Sequence, residues 1–316
     1  MGLKLIRPLE RLDQLAAVRA AGVLRGKSTG FQQLDQLFTA RRGFPLFVAG
    51  APHHGKSIFV KQLAVNWARL HGWRILLYMG EEGSAVDLLA DLVEMYVGCD
   101  LRVTSPGGLS NTMCMTEEQF LEALEFVDKH FRVICPDEVS TLPRFTLADF
   151  QRLAGSDSFD VTVLDPWNDL DHDVEGSGGR EDLYLANALR DVRRACRESN
   201  RLDIVVTHIA KIHADRKTED GKRYQGPAMP TEWAGGQTWF RRAFTMLLVY
   251  RPPAGYVIES DGAVIEPGEA WIYCQKTKPK GVGKLGRVKM WWTPHLHRFE
   301  ERDENGVAQL PKRVEK

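Results

Sequence analysis

Between an apolar run, Phe44 to Ala49, and a stretch of helical texture lies GAPHHGKS, residues Gly50 to Ser57. Two glycines five apart, followed by Lys and Ser, form a cradle for phosphate. Backbone amides turn inward and the following helix adds its positive end. Gly50 and Gly55 permit that backbone, Lys56 offers a cation to the terminal phosphates, and the Ser57 hydroxyl can ligate Mg2+. Pro52, His53 and His54 stand where such loops often carry small residues. The cradle is made of backbone, so these side chains stiffen and polarise the loop and leave its amides free for phosphate. The plain alternative is a glycine turn joining a strand to a helix.

Phosphate chemistry also needs acids on neighbouring strands. In VTVLDPWNDLDH, Val161 to His172, an apolar run ends at Asp165, where a carboxylate can hold the outer shell of a magnesium ion. The alternative is a residue that caps the turn before Pro166. LLYMGEEGS ends another apolar run at Glu81 and Glu82, one of which can orient water for hydrolysis. We assign that role to Glu81 and leave Glu82 to a solvated turn. IVVTHIAK ends a further run at His208, which at the carboxyl end of a central strand faces the γ-phosphate and can sense its loss.

These groups need a scaffold that brings strand ends together. Strands are expected at Leu46–Gly50, Arg74–Gly80, Phe131–Cys135, Asp160–Asp165 and Asp203–Thr207. Helices are expected between them at Lys56–His71, Ala85–Val97, Thr116–Lys129 and Leu183–Ser199, the third opening on a capping box from Thr116 to Gln119. Alternation of this kind predicts an α/β fold with a mainly parallel sheet and helices on both faces. After Phe244 the runs Phe244–Tyr250, Ala270–Gln275 and Arg287–Trp292 follow without a helix, which predicts an antiparallel C-terminal extension of the sheet. Residues 1–26 are expected to be an N-terminal helical arm, and 27–316 a single domain without a linker.

Composition narrows the partners. The 316 residues carry 42 acidic and 42 basic side chains, so any nucleic-acid binding must come from local patches. One such segment is KIHADRKTEDGKRYQGPAMPTEWAGGQ, Lys211 to Gln237, expected as a long irregular loop. Its Lys211, Arg216, Lys217, Lys222 and Arg223 can track a phosphate backbone. Its acids, Asp215, Glu219 and Asp220, equally allow a solvated surface loop. The glycine-rich DHDVEGSGGRED, Asp171 to Asp182, is a second candidate channel loop. Between Lys276 and Lys289 stand six basic residues and no acid. No apolar run is long enough to span a membrane, and the N-terminus lacks a signal-peptide core. The five cysteines, Cys99, Cys114, Cys135, Cys196 and Cys274, are scattered, which reads as reduced thiols in a cytoplasmic protein without a zinc site.

The order of these motifs resembles the motor domain of hexameric replicative helicases of the DnaB and Twinkle type, from about Lys27 to Phe299. STGFQQLDQLF resembles their opening segment, GAPHHGKS the phosphate loop, MGEE the catalytic-glutamate motif and LDPWNDLDH the magnesium strand. THIAK resembles the phosphate-sensing motif, WAGGQTWFRRAF the DNA-loop motif and QKTKPKGVGKLG the segment donated to a neighbouring subunit. The resemblance implies a RecA-like P-loop fold, a homo-hexameric ring, ATP with Mg2+ between subunits, and single-stranded DNA in the channel. It places Gly235, Gly236 and Gln237 among the DNA contacts and Trp292 at the position that stacks on adenine. A core tryptophan is the alternative for Trp292. No arginine stands at the family's finger position, where this chain has Lys276, Lys278 and Lys280. Two residues apart on a strand end, Lys276 and Lys278 are expected to point the same way, with Lys278 the donated cation. Arg241 and Phe244 replace the family's usual Asn and Asp. No primase domain is recognised, so a separate primase and loader are expected, acting with this chain on forked DNA. Two rival functions share the motifs: a recombinase or clock-type ATPase that does not unwind, and an assembly platform that binds ATP only to hold a ring.

Overall fold

The computed structural model describes residues 5–22, 25–101, 114–134, 145–210, 216–217, 221–224, 226–257, 264–278, 283–303 and 308–309. Its centre is a row of short apolar strands: β1 (Leu46–Gly50), β2 (Ile75–Met79), β3 (Phe131–Ile134), β4 (Val161–Asp165) and β5 (Leu202–His208). Every residue of β1, β2 and β4 is buried, as expected of strands covered on both faces. Further along lie the pair β6 (Arg216–Lys217) and β7 (Arg223–Tyr224), then β8 (Thr245–Tyr250), β9 (Glu269–Lys276), β10 (Gly286–Thr293), β11 (Arg298–Arg302) and β12 (Ala308–Gln309). Ten strands form one sheet in the order β12-β11-β10-β9-β8-β1-β5-β4-β2-β3, and β6 pairs with β7 apart from it.

The helices are α1 (Leu12–Ala21), α2 (Leu34–Leu37), α3 (Lys56–His71), α4 (Ala85–Val97), α5 (Glu117–His130), α6 (Leu147–Ala154), α7 (Glu181–Ser199) and α8 (Gln237–Arg242). One face of the sheet packs Leu46, Val48, Ile75, Leu77, Ile204 and Val206 against α3, α4 and α5. The other packs Phe47, Leu76, Leu164, Val205 and Leu248 against α6, α7 and α8. The Thr116 box forms as expected: its hydroxyl accepts from Gln119 N at 3.2 Å, and Gln119 Oε1 accepts from Thr116 N at 2.9 Å. The arm is a 3-10 turn, Pro8–Arg11, followed by α1, and the side chains of residues 5–20 lie exposed.

Two expectations need correction. β8 is not the start of the antiparallel extension, because it runs parallel to β1 with Leu46 opposite Thr245. The chain returns through α8, a six-residue crossover anchored by the fully buried Trp239. The antiparallel part begins with β9. Nor is Lys211–Gln237 irregular throughout. It contains the β6–β7 hairpin, a 3-10 turn at Pro230–Glu232, and a bridge from Ile209 to the fully buried Trp233. Among the described residues no helix is long and apolar enough to cross a membrane.

Candidate functional site

The parallel strands end side by side, with Gly50 opposite His208 and Met79 opposite Asp165. Their carboxyl ends therefore bring the four motifs together at the edge of the sheet where open α/β folds bind ligands. The loop from β1 to α3 needs its glycines. A Cβ on Gly50 would lie 2.5 Å from the Val249 carbonyl oxygen. Gly55 has φ 85° at the N-terminus of α3, and a Cβ there would meet the Phe299 ring at 3.0 Å. Pro52 and His53 are exposed, and His53 adopts φ 62°. His54 turns to the exit of β8, where its Nδ1 accepts from Arg251 N at 3.2 Å and its ring packs edge-on against Tyr250. Burial pulls its pKa down to about 4, so this imidazole is neutral at pH 7.

Lys56 is buried, and its ammonium donates to the Ala51 carbonyl at 3.2 Å. Burial lowers its pKa, while the charges of Asp165 and Glu81 act to raise it. Asp165 is buried at the end of β4, and burial pushes its pKa up to about 6 against the opposing effects of the Ser57 hydroxyl and Lys56. Its Oδ2 has no hydrogen-bond partner among the described residues. An orphaned carboxylate oxygen beside a hydroxyl is a donor set that fits a hard cation.

The two glutamates after β2 separate cleanly. Glu82 Oε1 lies 3.0 Å from the ammonium of Lys61, a buried α3 residue that also pairs with Asp91 at 2.5 Å. Glu81 has no such tie, and its Oε1 stands 3.2 Å from His208 Nε2. The sequence reading missed Asn168. Its Oδ1 accepts from Thr207 Oγ1 at 3.1 Å and from His208 N at 3.4 Å, so it braces the end of β5. Its only signal was its place in DPWND, three residues after Asp165.

The other expected residues are placed by contacts of their own. Trp292 is half-buried and tilts against Phe299, 5.4 Å between ring centroids, beside the buried Val288 and Met290. β9 ends at Lys276, so strand alternation does not extend to Lys278 and the expected common direction has no basis. Lys276 donates to the carbonyl of Phe240 in α8 and lies 4.8 Å from that ring, whereas Lys278 is exposed. Gly235 (φ 94°) and Gly236 (φ 62°) form the turn into α8, and Gln237 Oε1 accepts from Arg241 at 3.0 Å. The positive φ of Gly235 strains any other residue there, and a Cβ would also meet Leu185 Cδ2 at 2.5 Å, so the local backbone accounts for this glycine. Lys217 and Lys222 are exposed on the hairpin, which also carries Arg216 and Arg223. Lys211, Lys280 and Cys135 lie outside the described residues. In the other candidate loop, Asp173 accepts from Gly176 N at 2.9 Å, and Arg180 pairs with Asp182 at 2.8 Å.

No family model and no curated protein matches the sequence. Among solved structures the chain is similar to a DnaB-like replicative helicase described with its interactions with primase, at TM-score 0.70 and 13% identity over 93% of this chain and 68% of that one. A free-standing ATPase domain matches at TM-score 0.68 and 13% identity, covering 94% of this chain and 99% of that one. The RadB recombinase matches at TM-score 0.50 and 19% identity, covering 87% and 99%. At these identities the likeness establishes the fold, which is RecA-like α/β with an antiparallel C-terminal extension.

Proposed function

We propose that this chain is an ATP-hydrolysing DNA helicase motor that works as a homo-hexameric ring on single-stranded DNA. The observation that carries the reading is the meeting of Lys56, Asp165 and the Glu81–His208 pair at adjacent strand ends. The DnaB-like overall shape supports it. In this reading the backbone N–H groups of the Gly50–Ser57 loop, apart from Pro52, which has none, bind the ATP phosphates, and Lys56 neutralises the β- and γ-phosphates. Magnesium, which screens the phosphate charge, would be held by Ser57 and, through water, by Asp165. Glu81 orients and deprotonates the attacking water, and His208 reports loss of the γ-phosphate through Glu81 and the Asn168 brace. Exposed Lys278 is the proposed cation donated to a neighbour's site, while Lys276 is held by Phe240 of its own chain. Trp292 is the proposed adenine platform. Primase and loader would be separate proteins.

Single-stranded DNA should stimulate ATP hydrolysis, and the ring should open a forked duplex. Stimulated hydrolysis without unwinding would favour a recombinase-type or clock-type ATPase. Hydrolysis indifferent to DNA would reduce the protein to an ATP-held assembly platform.

The DNA path is proposed to include Lys211, Arg216, Lys217, Lys222, Arg223 and the Gly235–Gly236–Gln237 turn. Replacing Lys211, Arg216 and Lys217 together by Ala should lower the log–log salt slope of DNA binding by about 0.7 for each phosphate these cations neutralise. An unchanged slope would put the DNA elsewhere, with the 276–289 segment next in line.

Asp165→Asn should stabilise the apo protein while weakening magnesium-dependent ATP binding. The folded carboxyl titrates at about 6 against 3.8 for the ordinary group. The native state therefore holds this proton tighter, and the resulting stability is present below pH 3.8 and lost as pH rises through about 6. At pH 7 the fold carries a buried charge that the amide removes, for a gain of about 1–3 kcal/mol. Thermal melts of both proteins across pH 4–8 check this. A melting temperature lowered at pH 7 would mean that Asp165 is structural.

A further inference from the structure

Away from the phosphate loop, three chemistry-bearing side chains converge where the C-terminal end of α4 meets the β10–β11 turn. His297 occupies that turn with φ 52°. Its Nε2 lies 2.6 Å from Asp100 Oδ1, and its Nδ1 lies 3.5 Å from Glu94 Oε2. Glu94 Oε1 accepts from Leu101 N at 2.9 Å, which fixes the carboxylate in place. All three side chains are mostly buried, with 15%, 20% and 27% of Glu94, Asp100 and His297 exposed. One imidazole nitrogen and one oxygen from each carboxylate fall within 4.8 Å of one another. Asp100 and His297 are 197 residues apart, so the convergence is made by the fold.

Two carboxylates sharing a partly buried site repel, and one imidazole offsets at most one of their charges. A divalent cation balances both. Imidazole with carboxylates suits zinc and similar transition ions, whose bonds of ~2.0–2.2 Å place neighbouring ligand atoms about 3.4 Å apart. The 2.6 Å contact must open slightly and the others close. Burial, then Asp100, Cys114 and Glu94, raise the pKa of the nearby Cys99 thiol, so two cysteines share the neighbourhood. We propose that Glu94, Asp100 and His297 form a binding site for one divalent transition-metal ion of the zinc class, with water as the fourth ligand. Two residues beyond His297, Phe299 lies over Gly55, and its backbone exchanges two hydrogen bonds with Gln62 of α3, at 2.6 and 2.8 Å. An ion here would pin the β10–β11 turn to α4 and stiffen the cover of the phosphate loop.

The test is zinc titration of the metal-stripped full chain against a chromophoric chelator, with cobalt(II) absorption reporting coordination. One ion per wild-type chain is expected. His297→Asn keeps a residue type that tolerates φ > 0 and should weaken binding at least about 100-fold. Asp100→Asn should act in the same direction and serves should the first variant fold poorly. A Cys99→Ser, Cys114→Ser double variant should bind as the wild type does. No stoichiometric zinc in the wild type would leave a histidine–carboxylate ion pair and overturn the proposal. So would zinc retained by both ligand variants, or lost in the cysteine variant.

Discussion

Lys56→Ala is expected to lower ATP turnover by about 10²–10³-fold while the protein stays folded. The buried ammonium has only a loop carbonyl, Ala51, as its hydrogen-bond partner among the described residues, at 3.2 Å. Burial works against its charge and lowers its pKa, and the acids Asp165 and Glu81 oppose that in part. A cation kept charged at that cost is positioned for anionic phosphates, whose charge shifts most in the transition state. Removing it leaves Asp165 without its opposing cation, so that carboxyl takes up a proton more readily and no ionised group is stranded. The fold should therefore survive, with a melting temperature within a few degrees of wild type. Steady-state hydrolysis and a thermal melt check the two halves. Turnover within a few-fold of wild type would remove the phosphate-loop assignment, whatever the melt shows.

What could be read from the sequence was whatever lies within one element or one turn. Leu46–Gly50, Lys56–His71 and Ala85–Val97 form with the expected bounds, because apolar runs and Gly caps act over a few residues. The direction of β8 escaped, since direction belongs to the connection and α8 is too short to show a helical period. Its burial rests largely on one side chain, Trp239. α6, eight residues long, escaped for the same reason. At the site, the spacing of residues 50–57 and the strand-end acids were legible. The partners that differentiate them were not. Lys61 reads as a polar helix residue and is buried, held by Glu82 and Asp91 from 21 and 30 residues away. Lys276 reads as a cation free to reach a neighbour, yet it lies against Phe240 of its own chain. The hairpin and buried Trp233 within 211–237 likewise depend on long-range packing that composition does not express.

Such tertiary pairing sharpens the last prediction, which separates Glu81 from Glu82. Glu81→Gln should lower hydrolysis by about 10²–10⁴-fold and leave ATP binding near wild type. The amide keeps the size of the side chain and can still pair with His208, 3.2 Å from the present Oε1. What it loses is basicity, so a fall in turnover reports proton acceptance from water and not a collapsed strand end. Glu82→Gln should do the reverse. Its carboxylate neutralises Lys61, whose side chain is 3% exposed, and losing that charge leaves Asp91 as the remaining counter-ion. Stability should drop by about 1–3 kcal/mol with turnover changed only a few-fold, since a buried cation that loses a charged partner is costly. Denaturant midpoints and single-turnover hydrolysis of the two variants, measured side by side, decide the matter. If Glu82→Gln stops hydrolysis and Glu81→Gln does not, the base sits one residue later and Lys61 becomes part of the chemistry. If both variants hydrolyse normally, the water is oriented by another group, and Asp165 and Asp169 are further carboxylates at these strand ends.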